Sequence, residues 1–205
     1  MIKYFDIFAG IGGFRSGLEK AGGFQCVGYC EIDKYAKKAY ETLYDTENEV
    51  YYDDARKIDP NELPDLDLIC GGFPCQSFSI AGKRGGFDDA RGTLFFEIAR
   101  IAAVKKPKYL LLENVPGLLS HDQGRTFATI LSTLDELGYD VAWEVLNSAD
   151  FEVPQSRKRV YIVGFHREKC SGKILSFTDA NPKTLVQRIS GREGNRVYSA
   201  DGLSI

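Results

Sequence analysis

Histidine is scarce in this chain, with two residues in 205, His121 and His166. Neither stands in a segment that also carries a glycine turn or a nucleophile, so a Cys–His hydrolase is not indicated and both are expected at the surface. The five cysteines, Cys26, Cys30, Cys70, Cys75 and Cys170, are odd in number and include no CxxC pair. That argues against a disulfide framework and a cysteine-based zinc site, so reduced thiols are the default and no metal is expected. No run approaches the roughly 18 consecutive apolar residues of a membrane span. The opening MIKYFDIFAG is too short and wrongly flanked for a secretory signal, so no membrane association is expected and the location expected is cytoplasmic. Internal repeats and low-complexity tracts are missing as well. Positive charge is not in excess, because the formal net charge is -3. A polyanionic partner would have to be met by local clusters, of which there are three: Lys83, Arg84 and Arg91; Lys105, Lys106 and Lys108; Arg157, Lys158 and Arg159. Taken alone, each reads as a solvated face.

What is present is an ordinary globular composition, 43% hydrophobic and 12% aromatic, enough to bury a substantial core. Short apolar runs alternate with amphipathic ones. YFDIF (4 to 8), QCVGYCE (25 to 31), LDLIC (66 to 70), KYLLLEN (108 to 114), VAWEVLNS and RVYIVGF read as strands. Phe14 to Ala21, stopped by Gly22 and Gly23, reads as a helix, and so do KYAKKAYETLY behind an Asp33 cap, TLFFEIARIAAV, and FATILSTLDELG with its glycine stop. Strands alternating with helices imply right-handed βαβ crossovers and an α/β fold built on a doubly wound, mostly parallel sheet.

Two places on this frame carry chemistry. In DIFAGIGGF the glycines at 10, 12 and 13 let backbone approach a ligand, and Glu31 closes the second strand about 20 residues on, where an acid can accept ribose hydroxyls. Arg15 occupies the position of the third glycine of GxGxxG, which favours an adenosine without phosphates over a pyrophosphate. The second place is GGFPCQSFS, which follows the LDLIC strand. Cys75 lies past the C-terminal end of that strand, where open α/β sheets bind ligands, and Pro74 restricts the backbone before it. The other cysteines read as buried small hydrophobes. KYLLLEN delivers Glu113 and Asn114 to the same edge. The loop SIAGKRGGFDDARG, glycine-rich and basic, suits a mobile lid over an anionic substrate.

DIFAGIGGF, GGFPCQSFSIAG, RGTLFFEIARI, ENVPGL and QSRKRVYIVG stand in the order and spacing of the DNA cytosine-5 methyltransferases of bacterial restriction-modification systems, and the sequence resembles that family's catalytic domain over nearly its whole length. The resemblance implies a Rossmann-like methyltransferase fold. It implies Cys75 as nucleophile, Glu113 as the acid that engages the cytosine ring, and Arg157 and Arg159, with Gln155, Gln76 and Ser79, around a base flipped out of double-stranded DNA. It further implies that Phe8, Gly10, Gly12, Glu31, Asp54 and Leu94 surround S-adenosylmethionine. The chemistry is coherent. A thiolate adding at C6 turns the ring into an enamine whose C5 can attack a methyl sulfonium. A carboxyl group at N3 and the exocyclic amine, and an arginine near O2, offset the charge pushed into the ring. A stacked base cannot be approached in this way, hence the flipping. No side chain is singled out to remove the C5 hydrogen. The alternatives are a cytosine-5 tRNA methyltransferase and a non-catalytic cofactor- or DNA-binding fragment.

Residues 1–165 are expected to form the cofactor-binding and catalytic domain. Residues 166–205, rich in Gly, Ser, Asn and charge, are expected to begin an incomplete target-recognition region. A separate C-terminal target-recognition polypeptide is the corresponding expected partner.

Overall fold

The strand IKYFDI is buried on both faces along its second half, as a central strand of a parallel sheet must be. In the computed structural model of the chain, which describes residues 1–74, 94–170 and, as backbone pairing, 187–189, this strand is β1 (Ile2–Ile7). Residues 75–93, and with them Cys75, Gln76, Ser79 and the expected lid, lie outside the described residues, as does the rest of the C-terminal segment. Two compact units, Met1–Pro107 and Lys108–Ile205, divide the chain.

In the first unit β1 pairs in parallel with β2 (Phe24–Cys30) on one side and with β4 (Leu68–Gly72) on the other, and β2 pairs in parallel with β3 (Val50–Tyr52). The strand order is therefore β3-β2-β1-β4. The helices α1 (Gly13–Ala21) and α2 (Lys34–Leu43) are the crossovers between successive strands, so the α/β, doubly wound class expected from the alternation is the class observed. Asp33 caps α2 as expected, its Oδ1 accepting the N–H groups of Tyr35 and Ala36 at 2.8 Å each. The helix α3 (Leu94–Lys105) buries Phe95, Phe96, Ile98, Ala99, Ile101 and Ala102, which matches its nearly all-apolar sequence. The strand order reverses at β1, with β2 and β3 on one side and β4 on the other, making a topological switch point, the place where open α/β sheets bind ligands.

The second unit pairs differently. β5 (Tyr109–Asn114), β7 (Lys158–His166), β6 (Tyr139–Asn147) and β8 (Gln187–Ile189) follow one another in antiparallel order. Only residues 148–157 join β6 to β7, fewer than a helical crossover requires, so these strands return as neighbours rather than wind onward. The expected parallel winding is thus confined to the first unit. The helix α4 (Arg125–Glu136) buries Phe127, Ile130, Leu131 and Leu134, and Phe127 meets the Trp143 ring of β6 edge-on at 5.2 Å.

His166 departs from the expectation of a surface residue. It ends β7, is only 3% exposed and lies edge-on to Tyr139 at 5.1 Å, because the Gly138 turn closes over it. His121 is half-buried, with Nδ1 2.7 Å from the Thr126 hydroxyl. Cys30 and Cys70 are buried as expected of small hydrophobes, whereas Cys26 and Cys170 are half-buried. Among the described residues no helix is long and apolar enough to cross a membrane.

Candidate functional site

The chain leaves β1 through a turn whose backbone is left-handed at Phe8 (φ 58), Gly10 (φ 57) and Gly12 (φ 91). At Gly10 and Gly12 this conformation is free of strain, but at Phe8 it costs energy that the surroundings must offset. Two bonds do so in part: the Ala9 N–H donates to the Cys30 carbonyl at 3.0 Å and the Gly12 N–H to the Ala9 carbonyl at 2.9 Å. A Cβ at Gly10 would meet nothing within 4 Å. Gly10 therefore borders open space on its outer side, where a ligand can approach the backbone.

Glu31 follows the last residue of β2 and reaches this turn. Its Oε2 accepts the Gly10 N–H at 2.7 Å and its Oε1 the Asp33 N–H at 2.7 Å, while its own carbonyl accepts from the Tyr51 hydroxyl at 3.1 Å. Each carboxylate oxygen has a second acceptor site. The group is fixed in place and can still accept the two hydroxyls of a ribose. In this respect the residues present fit the nucleoside end of S-adenosylmethionine.

Asp54, a second acid expected near the cofactor, opens a 3-10 turn, Ala55–Lys57, and its carboxylate is taken up by Arg56 at 2.7 Å. Those hydrogen bonds from Arg56 hold its carboxyl down at about 2, so it stays ionised at any working pH. The turn is tied to α3, since Arg100 donates to the carbonyls of Ile58 at 2.8 Å and Ala55 at 3.1 Å. Leu94 is half-buried as the first residue of α3.

Beneath the glycine turn lies a polar cluster that the sequence did not disclose. Asp6 of β1 is fully buried, and burial pushes its carboxyl up to about 8, against the lowering effect of hydrogen bonds from Tyr40 and Cys70. Arg15, noted in the sequence only as a departure from a glycine pattern, is 5% exposed. It binds Glu49 and Glu19 at 2.8 Å each and the Asp45 carbonyl at 2.9 Å. Its replacement of glycine is thus structural, tying α1 to the segment that follows α2.

Cys75, Gln76 and Ser79 begin beyond the described part of this unit. The residues that lead to them do so from the expected edge: β4 runs parallel to β1, and Phe73, 2% exposed and 5.5 Å from the Phe95 ring, and Pro74 leave its C-terminal end.

In the second unit Glu113 and Arg159 meet. Glu113 on β5 stands opposite Tyr161 on β7, and Arg159, two residues back on β7, shares that face. The Arg159 Nε lies 2.6 Å from a Glu113 oxygen, with side chains about one-fifth exposed, at 19% and 22%. Burial, then the Glu113 charge, raises the Tyr161 hydroxyl above its ordinary value. Arg157 and Gln155 are exposed on the β6–β7 connection. That connection is closed on itself: the Arg157 N–H donates to the Ser148 hydroxyl at 3.1 Å, and the Ser148 hydroxyl donates to the Gln155 carbonyl. Neither Gln155 nor Arg157 joins the Glu113–Arg159 pair.

A glycine turn leaving β1, an acid leaving β2 and a switch point between β1 and β4 define a Rossmann-like unit. Solved methyltransferases share the fold: that of Spodoptera frugiperda DNMT2 matches with a TM-score of 0.67 at 23% identity, covering 82% of this chain and 50% of that one. Residues 2–200 match the family model of the C-5 cytosine-specific DNA methylases, and the chain belongs to that family. Type II methyltransferase M1.ScrFI of Lactococcus lactis subsp. cremoris is 53% identical over 197 residues, 96% of this chain and 49% of that protein. Type II methyltransferase M.NgoBI of Neisseria gonorrhoeae is 53% identical over 167 residues, 80% of this chain and 51% of that protein. The chain thus spans about half the length of the curated relatives it matches. Those relatives carry the matched region within longer chains, which gives the expected separate target-recognition polypeptide no support.

Proposed function

We propose that the chain carries the cofactor-binding and catalytic part of an enzyme that methylates C5 of cytosine in duplex DNA. The observation that carries this reading is the Glu113–Arg159 pair, an acid and an arginine joined at 2.6 Å on one sheet face, as a site that balances charge on a cytosine ring needs. Residues 1–165 hold the working groups, and 166–205 open a target-recognition region.

Phe8, Gly10, Gly12, Glu31, Asp54 and Leu94 would hold S-adenosylmethionine, and the bound cofactor would supply an electrophilic methyl sulfonium. The Cys75 thiolate adds to C6 of a flipped-out cytosine, which makes C5 nucleophilic enough to take a methyl group. Glu113 hydrogen-bonds N3 and the exocyclic amine, and Arg159 acts near O2. Together they offset the electron density that addition pushes into the ring. Loss of the C5 hydrogen and then of the thiolate restores the aromatic ring. Arg157, Gln155, Gln76 and Ser79 line the path of the base and its phosphates.

The test uses duplex DNA containing 5-fluorocytosine, whose C5 fluorine cannot leave as a proton does, so the adduct persists. The chain should form a denaturant-resistant complex with such DNA in the presence of S-adenosylmethionine, and Cys75→Ser should not. An adduct in the Cys75→Ser protein, or methyl transfer to tRNA in preference to duplex DNA, would overturn the reading.

A further inference from the structure

Gly12 is where the turn enters α1, and its carbonyl is gripped from outside the turn. The Gly12 carbonyl accepts the Ser16 N–H of α1 at 2.9 Å, and the hydroxyl of Tyr44, the residue after α2, donates to it as a second partner at 2.9 Å. The same ring fills the space a side chain at Gly12 would need, with Cε2 2.3 Å from where a Cβ would stand. Tyr44 is itself clamped. The Arg15 guanidinium lies over its ring, 4.5 Å from the centroid, and Glu49 and the Asp45 carbonyl hold that guanidinium at 2.8 and 2.9 Å. On the far side Arg15 donates to the Tyr40 hydroxyl at 3.3 Å, which donates in turn to buried Asp6 at 3.3 Å.

This grip has a consequence at the ligand face. The Gly12–Gly13 peptide is trans and planar, so fixing the direction of the Gly12 carbonyl fixes the opposite direction of the Gly13 N–H. That N–H belongs to the first turn of α1, whose donors have no acceptor within the helix. We propose that Tyr44, clamped by Arg15, acts with the Ser16 bond of α1 to fix the plane of the Gly12–Gly13 peptide and thereby tunes the affinity of the turn for the cofactor. Tyr44 is a positioning residue that acts from behind the turn. Glu31 holds the turn at Gly10, and Tyr44 holds it at Gly12. The proposal rests on the reading of the Phe8–Gly13 turn as the cofactor cradle.

The experiment titrates S-adenosylhomocysteine, an unreactive cofactor analogue, into the unaltered chain and into Tyr44→Phe by calorimetry, with hydrogen exchange and thermal unfolding alongside. Tyr44→Phe keeps the ring and its stacking on Arg15 and removes only the hydroxyl. It should raise the dissociation constant about three- to tenfold, the range of one hydrogen bond. Amides of residues 10–16 should exchange faster in the ligand-free variant while those of Ile2–Ile7 keep their protection. A purely structural role would lower the melting temperature and spread faster exchange over the whole unit without this selective loss of affinity. Equal affinity in the two proteins would overturn the role of Tyr44 and leave the cofactor cradle standing. No binding by the folded, unaltered chain would overturn the cradle and this inference together.

Discussion

Glu31 accepts backbone N–H groups from Gly10 and Asp33, and each of its oxygens keeps a second acceptor site, which the proposed function gives to the ribose hydroxyls of the cofactor. Glu31→Ala should therefore weaken S-adenosylhomocysteine binding by about 1–3 kcal/mol, the scale of hydrogen bonds to a charged group, and lower the melting temperature too. Calorimetry and thermal unfolding on the same preparation check both. Glu113→Gln keeps the shape of the side chain but removes the acid; it should cut methyl transfer by about 10²–10⁴, measured with labelled cofactor in a catalytically competent protein. Asp6 gives a prediction in pH. Its carboxyl is raised by burial from 3.8 to about 8, so the folded state keeps a proton that the unfolded chain releases. Its contribution to stability is fully present below the unfolded value and is lost as pH rises toward the folded one. Tyr4, Tyr40, Cys70, Arg15 and Glu49 are titratable groups that act on it. Asp6→Asn removes this dependence, so its stability relative to the unaltered chain should improve between about pH 5 and pH 8, as denaturant midpoints will show; a constant difference would place the titration elsewhere.

At the scale of elements, the helices were the most legible. Their spacing, the Asp33 cap and the glycine stops are local signals, and the structure keeps them within a residue or two. Strand ends were less so. The run YFDIF suggested that β1 includes Phe8, yet the strand stops at Ile7 because Phe8 turns left-handed, a demand of the turn that an apolar side chain does not advertise. β3, a three-residue edge strand, and β8 were not anticipated, since such short pairings leave no periodicity to read. Two glycines separate the packing of elements from their propensity. A Cβ at Gly71 in β4 would stand 2.0 Å from the Ile7 carbonyl oxygen, while one at Gly17 in α1 would meet nothing within 4 Å. Gly71→Ala should therefore destabilise by about 3 kcal/mol or more, since strand backbone must move. Gly17→Ala should stabilise by roughly 0.5–1 kcal/mol. Urea midpoints for the pair test the close packing of β1 against β4.

For the molecule as a whole, the class of fold was legible because alternation of strand and helix is written along the chain, whereas the change to antiparallel pairing after Pro107 depends on the shortness of the connection at 148–157. The candidate site was legible as motifs but not as partnerships: nothing local pairs Glu113 with Arg159, and nothing in the sequence marked Tyr44 or Asp6. With a net charge of -3, the proposed binding of duplex DNA would have to draw on local charge. Exposed Arg157 is one candidate. Arg157→Ala should weaken binding to all duplex sequences alike and reduce the slope of log affinity against log salt by about 1; an unchanged slope would remove it from the phosphate contacts. The position of β7 between β5 and β6 also decides where the gene can lengthen. One codon inserted among residues 150–154 adds to a connection outside the ladder and leaves the strands in step. One codon inserted between Val160 and Val163 must shift one end of β7 by a residue, exchanging the sheet faces of its side chains against both neighbours at once. Arg159 and Glu113 would then be parted without either being changed, so natural length variation in this stretch should collect in the connection and spare the strand.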